Sequence, residues 1–246
     1  MRTAVVLTIG NEIVSGDVEN TNASWLARQL AALGVTVRLT AALGDEIDEV
    51  AAFLRTEAPR ADVVFVTGGL GGTPDDLTRE AVAAAFDVPC VEQEPLAADL
   101  RARFAGRGLS EYAARWARLP EGAEPLANPL GGAPGFTLEN VVVLPGLPSE
   151  MKAMFDAIAD RFRGTPVASW RRRYRTTEGA IVGILEEATA RNPSVTVGSY
   201  PRFTDEDGPT VEVVLKSSDE AALAEVRTWV EERLGNLRPF EPVEEP

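Results

Sequence analysis

The chain has 246 residues, 45% of them hydrophobic, enough for a sizeable core in one large domain or in one medium and one small domain. Its net charge is −14, and 22 Arg accompany two Lys, Lys152 and Lys216, which argues against general binding to nucleic acid or anionic membranes. There is no histidine and one cysteine, Cys90, which excludes His-based triads, His-ligated zinc and intrachain disulfides.

The first residues read as a strand rather than a targeting segment, and no apolar run approaches the length of a membrane span. No membrane partner and a cytoplasmic location are therefore expected. Residues 4–9 (AVVLTI) form the predicted first strand. A loop over 10–17 follows, and Asn20-Thr21-Asn22 opens a helix in which Trp25, Leu26, Leu30 and Leu33 recur at helical spacing. Asn22-Ala23-Ser24 has the form of a glycosylation sequon but lacks a secretory context. Residues 35–40 are a second strand, and Gly44-Asp45-Glu46-Ile47-Asp48 starts a second helix.

Residues 63–80 (VVFVTGGLGGTPDDLTRE) are the organising stretch. Val63 to Val66 reads as a buried parallel strand, and Gly68, Gly69, Gly71 and Gly72 bring backbone N–H groups within reach of a ligand. Thr73-Pro74-Asp75-Asp76 has the form of a helix start, with Thr73 as N-cap and Pro74 as first helical residue. Strand, glycine loop and helix N-terminus form a phosphate-binding arrangement, and two carboxylates in it call for a divalent cation. The same four residues read equally as a plain capping box. A short strand near 88–91 and helices over 96–104 and 111–119 come next, then Pro- and Gly-rich turns. A hairpin over 136–144 leads through Pro145-Gly146-Leu147-Pro148-Ser149-Glu150 into a further helix.

Gly164-Thr165-Pro166 reads as a boundary. Residues 170–240 then follow the order strand, helix, strand, strand, helix, a small α+β domain. The basic run Arg171-Arg172-Arg173-Tyr174-Arg175 reads better as a solvated strand edge than as a nucleic-acid contact. Residues 1–165 alternate strands and helices, so the fold class is α/β with a mainly parallel sheet and right-handed crossovers. Val5, Val37, Val64 and Val143 are expected in its buried strands. Ligands of open α/β sheets bind at the carboxyl ends of the strands, which places the loops over 10–17, 41–48, 67–76 and 145–150 on one edge. Those loops carry Glu12, Asp17, Asp45, Asp48, Asp75, Asp76 and Glu150.

Taken together, TIGNEIVSGDVENTN, TGGLGGTPDDLT and PGLPSEM, in this order and spacing, closely resemble the molybdopterin-binding (MoaB/MogA-like) family, in particular the N-terminal part of the CinA group. The resemblance covers residues 1–165. The segment around Gly198-Ser199-Tyr200-Pro201 resembles the KH-like domain that follows in that group. The resemblance implies a three-layer α/β domain, a homo-oligomer, and metal-dependent hydrolysis of an ADP-ribose-type pyrophosphate with Mg²⁺ or Co²⁺. A molybdopterin adenylyltransferase and a non-catalytic pterin- or nucleotide-binding module are the alternatives; all three take a small-molecule ligand. Carried over, Asp76 and Asp45 are the candidate catalytic residues, and Asp76, Asp75 and Asp45 the candidate metal ligands. The candidate substrate-binding residues are Glu12, Ser15 and Asn20 of the first loop. The glycine loop adds Thr67, Gly68, Gly69, Gly71 and Thr73, and the last loop adds Pro145, Gly146 and Glu150. Two positions depart from the family: Asn11 stands where aspartate is usual, and Gly72 where proline is usual, which is expected to loosen the loop.

Overall fold

A computed structural model describes residues 2–105, 111–203 and 208–237. The chain forms two compact units that divide between Thr165 and Pro166.

The first unit runs β1 (Thr3–Ile9), α1 (Asn11–Val14), α2 (Thr21–Ala32), β2 (Thr36–Leu43), α3 (Ile47–Glu57) and β3 (Val63–Thr67). It continues with α4 (Thr78–Ala85), β4 (Cys90–Glu92), α5 (Glu94–Arg103), α6 (Glu111–Ala114), β5 (Arg118–Pro120) and β6 (Glu124–Leu126), and ends with β7 (Gly135–Leu138), β8 (Val141–Leu144) and α7 (Pro148–Ile158). Its six-stranded sheet has the order β2-β1-β3-β8-β7-β6. The pairs β2/β1, β1/β3 and β3/β8 are parallel, and β7 and β6 complete the sheet antiparallel.

Helices cover both faces, which is why β1 and β3 read as continuous apolar runs. Ala4, Val6, Val63 and Phe65 pack with Leu26 and Leu30 of α2 and Met151, Met154 and Phe155 of α7. Val5, Leu7, Val64 and Val66 pack with Val50 and Leu54 of α3 and Ala81 and Val82 of α4. Val5, Val64 and Val143 are fully buried as expected, but Val37 is only half-buried. The reason is topological: β2 is the sheet edge and its residues alternate between exposed and half-buried. The expected hairpin turn falls on Glu139, which adopts φ 50 between β7 and β8.

The second unit runs β9 (Ala168–Arg175), α8 (Glu178–Arg191), β10 (Thr196–Arg202), β11 (Thr210–Ser217) and α9 (Glu220–Leu234). Its strands pair antiparallel in the order β10-β11-β9. Tyr174, Ile181, Leu185, Val213, Val226 and Trp229 fill its core. The Asp219 side chain caps α9 by accepting from the N–H groups of Ala221 and Ala222, both at 3.0 Å. In the basic run, Tyr174 points into the core while Arg172 meets Glu231 at 3.3 Å and Arg173 meets Glu212 at 4.0 Å. The run is thus an edge strand, as expected, and two of its arginines are paired with the unit's own acids.

Candidate active site

The chain leaves β1 through α2 to β2 on one side, then crosses through α3 to β3 on the other. The carboxyl ends of β1 and β3 therefore diverge at a topological switch point, where open α/β sheets bind ligands. A cavity of about 550 Å³ lies there. The first loop contributes Glu12 and Asn20, the second Asp45, and the glycine loop Thr67, Gly68, Gly69, Gly71, Asp75 and Asp76. Pro145, Gly146 and Glu150 close the far side. Of the expected site residues, only Ser15 and Thr73 fall outside the lining. The Ser15 hydroxyl turns back to Asp17 Oδ2 at 2.7 Å, on the exposed side of the first loop. Asp17 and Asp48 also lie off the cavity.

The glycine loop is built differently from the expectation. Helix α4 begins at Thr78, with Leu77 as N-cap and no side-chain cap, so Thr73 is not the N-cap. Instead Thr73 to Asp76 form a turn in which Asp76 N–H donates to Thr73 O at 3.1 Å. The Asp76 carboxylate closes the loop from below. Its Oδ1 accepts the Gly71 N–H at 2.7 Å, and its Oδ2 accepts the Thr73 N–H at 2.8 Å together with the Thr73 hydroxyl. A carboxylate offers about four lone-pair sites, so Asp76 keeps about one for a ligand. Gly68 N–H continues the sheet ladder to Leu144 O at 3.2 Å. Of the three N–H groups expected to cradle phosphate, those of Gly68 and Gly71 are therefore committed inside the protein, and that of Gly69 remains.

Two glycines are required by their surroundings. Gly68 has φ 111, and a Cβ there would run into the Ile9 carbonyl at the end of β1. Gly72 is buried, and a Cβ there would run into the Tyr112 carbonyl. The glycine in place of proline lets the Tyr112 backbone lie directly on the loop. Arg115 ties that segment down by donating to Thr73 O at 3.2 Å. Tyr112 and Trp116, edge to face with centroids 5.6 Å apart, form an aromatic wall of the cavity.

Among the described residues, six carboxylates line the cavity, those of Glu12, Glu19, Asp45, Asp75, Asp76 and Glu150, and neither Lys nor Arg joins them. Burial pushes the Asp45 carboxyl above the ordinary aspartate range. The Asn11 N–H, donating at 2.9 Å, opposes that rise, and the charges of Glu12, Asp75 and Asp76 reinforce it. Asn11 Oδ1 also accepts from Asp45 N–H at 3.3 Å, so the two loops are stitched by a reciprocal pair of hydrogen bonds. Glu150 is held by Asn128 Nδ2 at 2.9 Å. Among the described residues, no three His, Cys, Asp or Glu side chains converge closely enough to hold a metal by themselves.

Sequence reasoning passed over two residues. Arg79 is buried under the glycine loop, where its guanidinium donates to the carbonyls of Leu70 and Gly71. Asn22, in the first turn of α2, is 7% exposed and lines the cavity floor. The charge of Arg79 inside an apolar-looking helix start was a readable signal. Asn22 carried none beyond its place beside Asn20.

Residues 5–164 match the family model described as "Probable molybdopterin binding domain". A crystal structure of the protein CinA, described as of unknown function, from Thermoplasma acidophilum aligns with TM-score 0.62 and 32% identity over 65% of this chain and 98% of that one. The chain belongs to the CinA-like branch of the molybdopterin-binding family. Other CinA-like relatives are longer: one from Frankia casuarinae is 44% identical over 76% of this chain but 46% of its own length, and one from Thermomicrobium roseum is 36% identical over 95% and 60%. The chain thus spans about half the length of these two relatives. A protein from Pyrobaculum calidifontis is 38% identical over 89% of this chain and 88% of its own length. Residues 169–238, where a KH-like domain was expected, match the model for the middle domain of FAD synthase. Membership of this family implies a small-molecule ligand. Among the described residues no helix is long and apolar enough to cross a membrane.

Proposed function

We propose that the cleft of this CinA-like chain hydrolyses the pyrophosphate bond of an ADP-ribose-type nucleotide in a reaction that depends on a divalent cation. The observation that carries this reading is the lining itself: six carboxylates and the glycine loop, with no basic side chain among the described residues. An anionic ligand enters such a cavity only together with cations. The available donors are hard oxygens, which suit Mg²⁺ or Co²⁺. Because no three of them converge, Asp75 and the remaining lone pair of Asp76 would hold the cation jointly with phosphate oxygens, the arrangement Mg²⁺ favours. Bound there, the cation would neutralise phosphate charge and polarise the phosphoryl oxygens.

The chain's own residues supply the rest. Asp76 keeps the glycine loop in shape, with Gly69 in the cavity lining and its N–H left for the ligand. The Tyr112 and Trp116 wall offers a face for a planar base. Asp45 accepts the proton of the attacking water, a task for which a carboxylate held above its ordinary range is suited. Water oxygen joins one phosphorus, the bridging oxygen leaves with the other phosphate, and AMP and a ribose phosphate result. Calorimetry tests the reading: ADP-ribose should bind in Mg²⁺ or Co²⁺ and fail to bind in EDTA. Equal binding in EDTA would remove the role of the cation. Consumption of ATP with a pterin, in place of ADP-ribose hydrolysis, would mean adenylyl transfer in the same cleft. A homo-oligomer, also implied by the family, is checked separately by light scattering.

A further inference from the structure

We propose that Asn22 Oδ1 is the acceptor for a sugar hydroxyl of the ligand, and that this atom sets which way round the ligand lies in the cleft. This rests on reading the cleft as a site for a nucleotide carrying ribose and phosphate. The Asn22 amide nitrogen donates to Thr67 Oγ1 at 3.1 Å and to Gly146 O at 2.8 Å. The orientation of that amide is dictated by chemistry. A backbone carbonyl only accepts, so nitrogen must face Gly146. The Thr67 hydroxyl gives its single proton to Pro145 O at 2.7 Å and is therefore an acceptor toward Asn22. Turning the amide over would set oxygen against oxygen at both contacts.

Oδ1 is thereby aimed away from this network, and it is buried without a partner in the protein. The nearby Asn20 Oδ1 accepts instead from Ala23 N–H and from the Thr8 hydroxyl, both at 3.1 Å, so the two asparagines do different work. A buried, unpaired carbonyl is costly and attracts a donor. A phosphate at neutral pH brings acceptors, and Asn22 Oδ1 repels them. A ribose hydroxyl brings the needed proton. The ends of β1, β3 and β8 therefore form the sugar end of the cleft, and the glycine loop beside Asp75 and Asp76 the phosphate end.

The test is a panel of ADP-ribose analogues, each lacking one ribose hydroxyl, titrated in Mg²⁺ against wild type, Asn22→Ala and Thr67→Val. In wild type one analogue should bind about tenfold or more weakly than ADP-ribose. In Asn22→Ala, ADP-ribose should lose a similar factor, and that analogue should lose nothing further. Thr67→Val removes a partner of the amide nitrogen without touching Oδ1, so it should keep the discrimination whatever it does to stability. If every analogue binds wild type as ADP-ribose does, the inference is wrong while the pyrophosphate reading stands. An equal loss for all ligands in Asn22→Ala would make Asn22 a purely structural residue. Wild type that binds no member of the panel would overturn both readings. Should Asn22→Ala fail to fold, the wild-type panel still decides.

Discussion

Asp76 Oδ1 accepts the Gly71 N–H at 2.7 Å across five residues of chain, and the other oxygen of the same carboxylate takes two donors from Thr73. This bond makes the glycine loop a closed ring rather than an open nest. Asp76→Asn should therefore break it. Whichever oxygen becomes NH₂ then faces an N–H, leaving a donor unsatisfied at a cost of about 1–3 kcal/mol. The melting temperature should fall, and ADP-ribose affinity with it. A helix cap would be worth only about 0.3–1 kcal/mol, so a melt within error of wild type would show that the ring is not what holds the loop.

Gly72 and Tyr112 provide the second test. An added methyl at position 72 meets the Tyr112 carbonyl, and the segment over 112–117 must move away from the loop. Gly72→Ala should cost about 1–3 kcal/mol as overpacking. It should also change the tryptophan emission through Trp116, a change that disappears in a Trp116→Phe background. Unaltered stability and emission would mean that the segment does not rest on Gly72.

Asp45 predicts an opposition between stability and activity. Its folded pKa is raised, chiefly by burial, so the folded state binds the proton more tightly than the unfolded one. The resulting stability is fully present below the unfolded aspartate value of 3.8 and is lost as pH rises through the folded value. At neutral pH the charged Asp45 thus works against folding. Asp45→Asn, which keeps an acceptor for the Asn11 N–H, should melt at or above wild type at pH 7. The difference should vanish on acidification toward pH 3.8. A variant less stable than wild type at pH 7 would contradict the burial argument.

The basic run of the second unit should not make that unit an RNA binder. Arg172 and Arg173 face Glu231 and Glu212, and the chain carries a net charge of −14. Fluorescence anisotropy with single-stranded RNA near physiological salt should show no sub-micromolar binding. A tight complex that weakens steeply with salt would overturn this.

What was legible in the sequence followed from hydrophobic pattern. The apolar run from Val63 to Val66 flanked by glycines located β3 and its loop, and the alternation of strands and helices located the switch point. Val37 was misjudged because an edge strand and a central strand can share β-branched composition; which one it becomes is decided by sheet order. Thr73-Pro74-Asp75-Asp76 was misread because a capping box and a β-turn place the same residues at the same spacing. The later helix start at Thr78 and the bond from the Gly71 N–H, five residues back, distinguish them. The Gly68 N–H was counted as a ligand donor because its partner, Leu144 O, is far away in sequence. Asn22 was hidden for the same reason, since both of its partners come from other loops.

The central claim is that carboxylates at the switch point carry cation-dependent pyrophosphate hydrolysis, and the most direct measurement is AMP release from ADP-ribose in Mg²⁺, Mn²⁺, Co²⁺ and EDTA, made on wild type and Asp45→Asn with a thermal melt of each. Wild type should release AMP only with a divalent cation. Asp45→Asn should remain folded while its rate falls by orders of magnitude, because the proton acceptor, typically worth about 10²–10⁴-fold, is gone. AMP release that persists in EDTA, or a folded Asp45→Asn protein that turns over at the wild-type rate, would contradict the account.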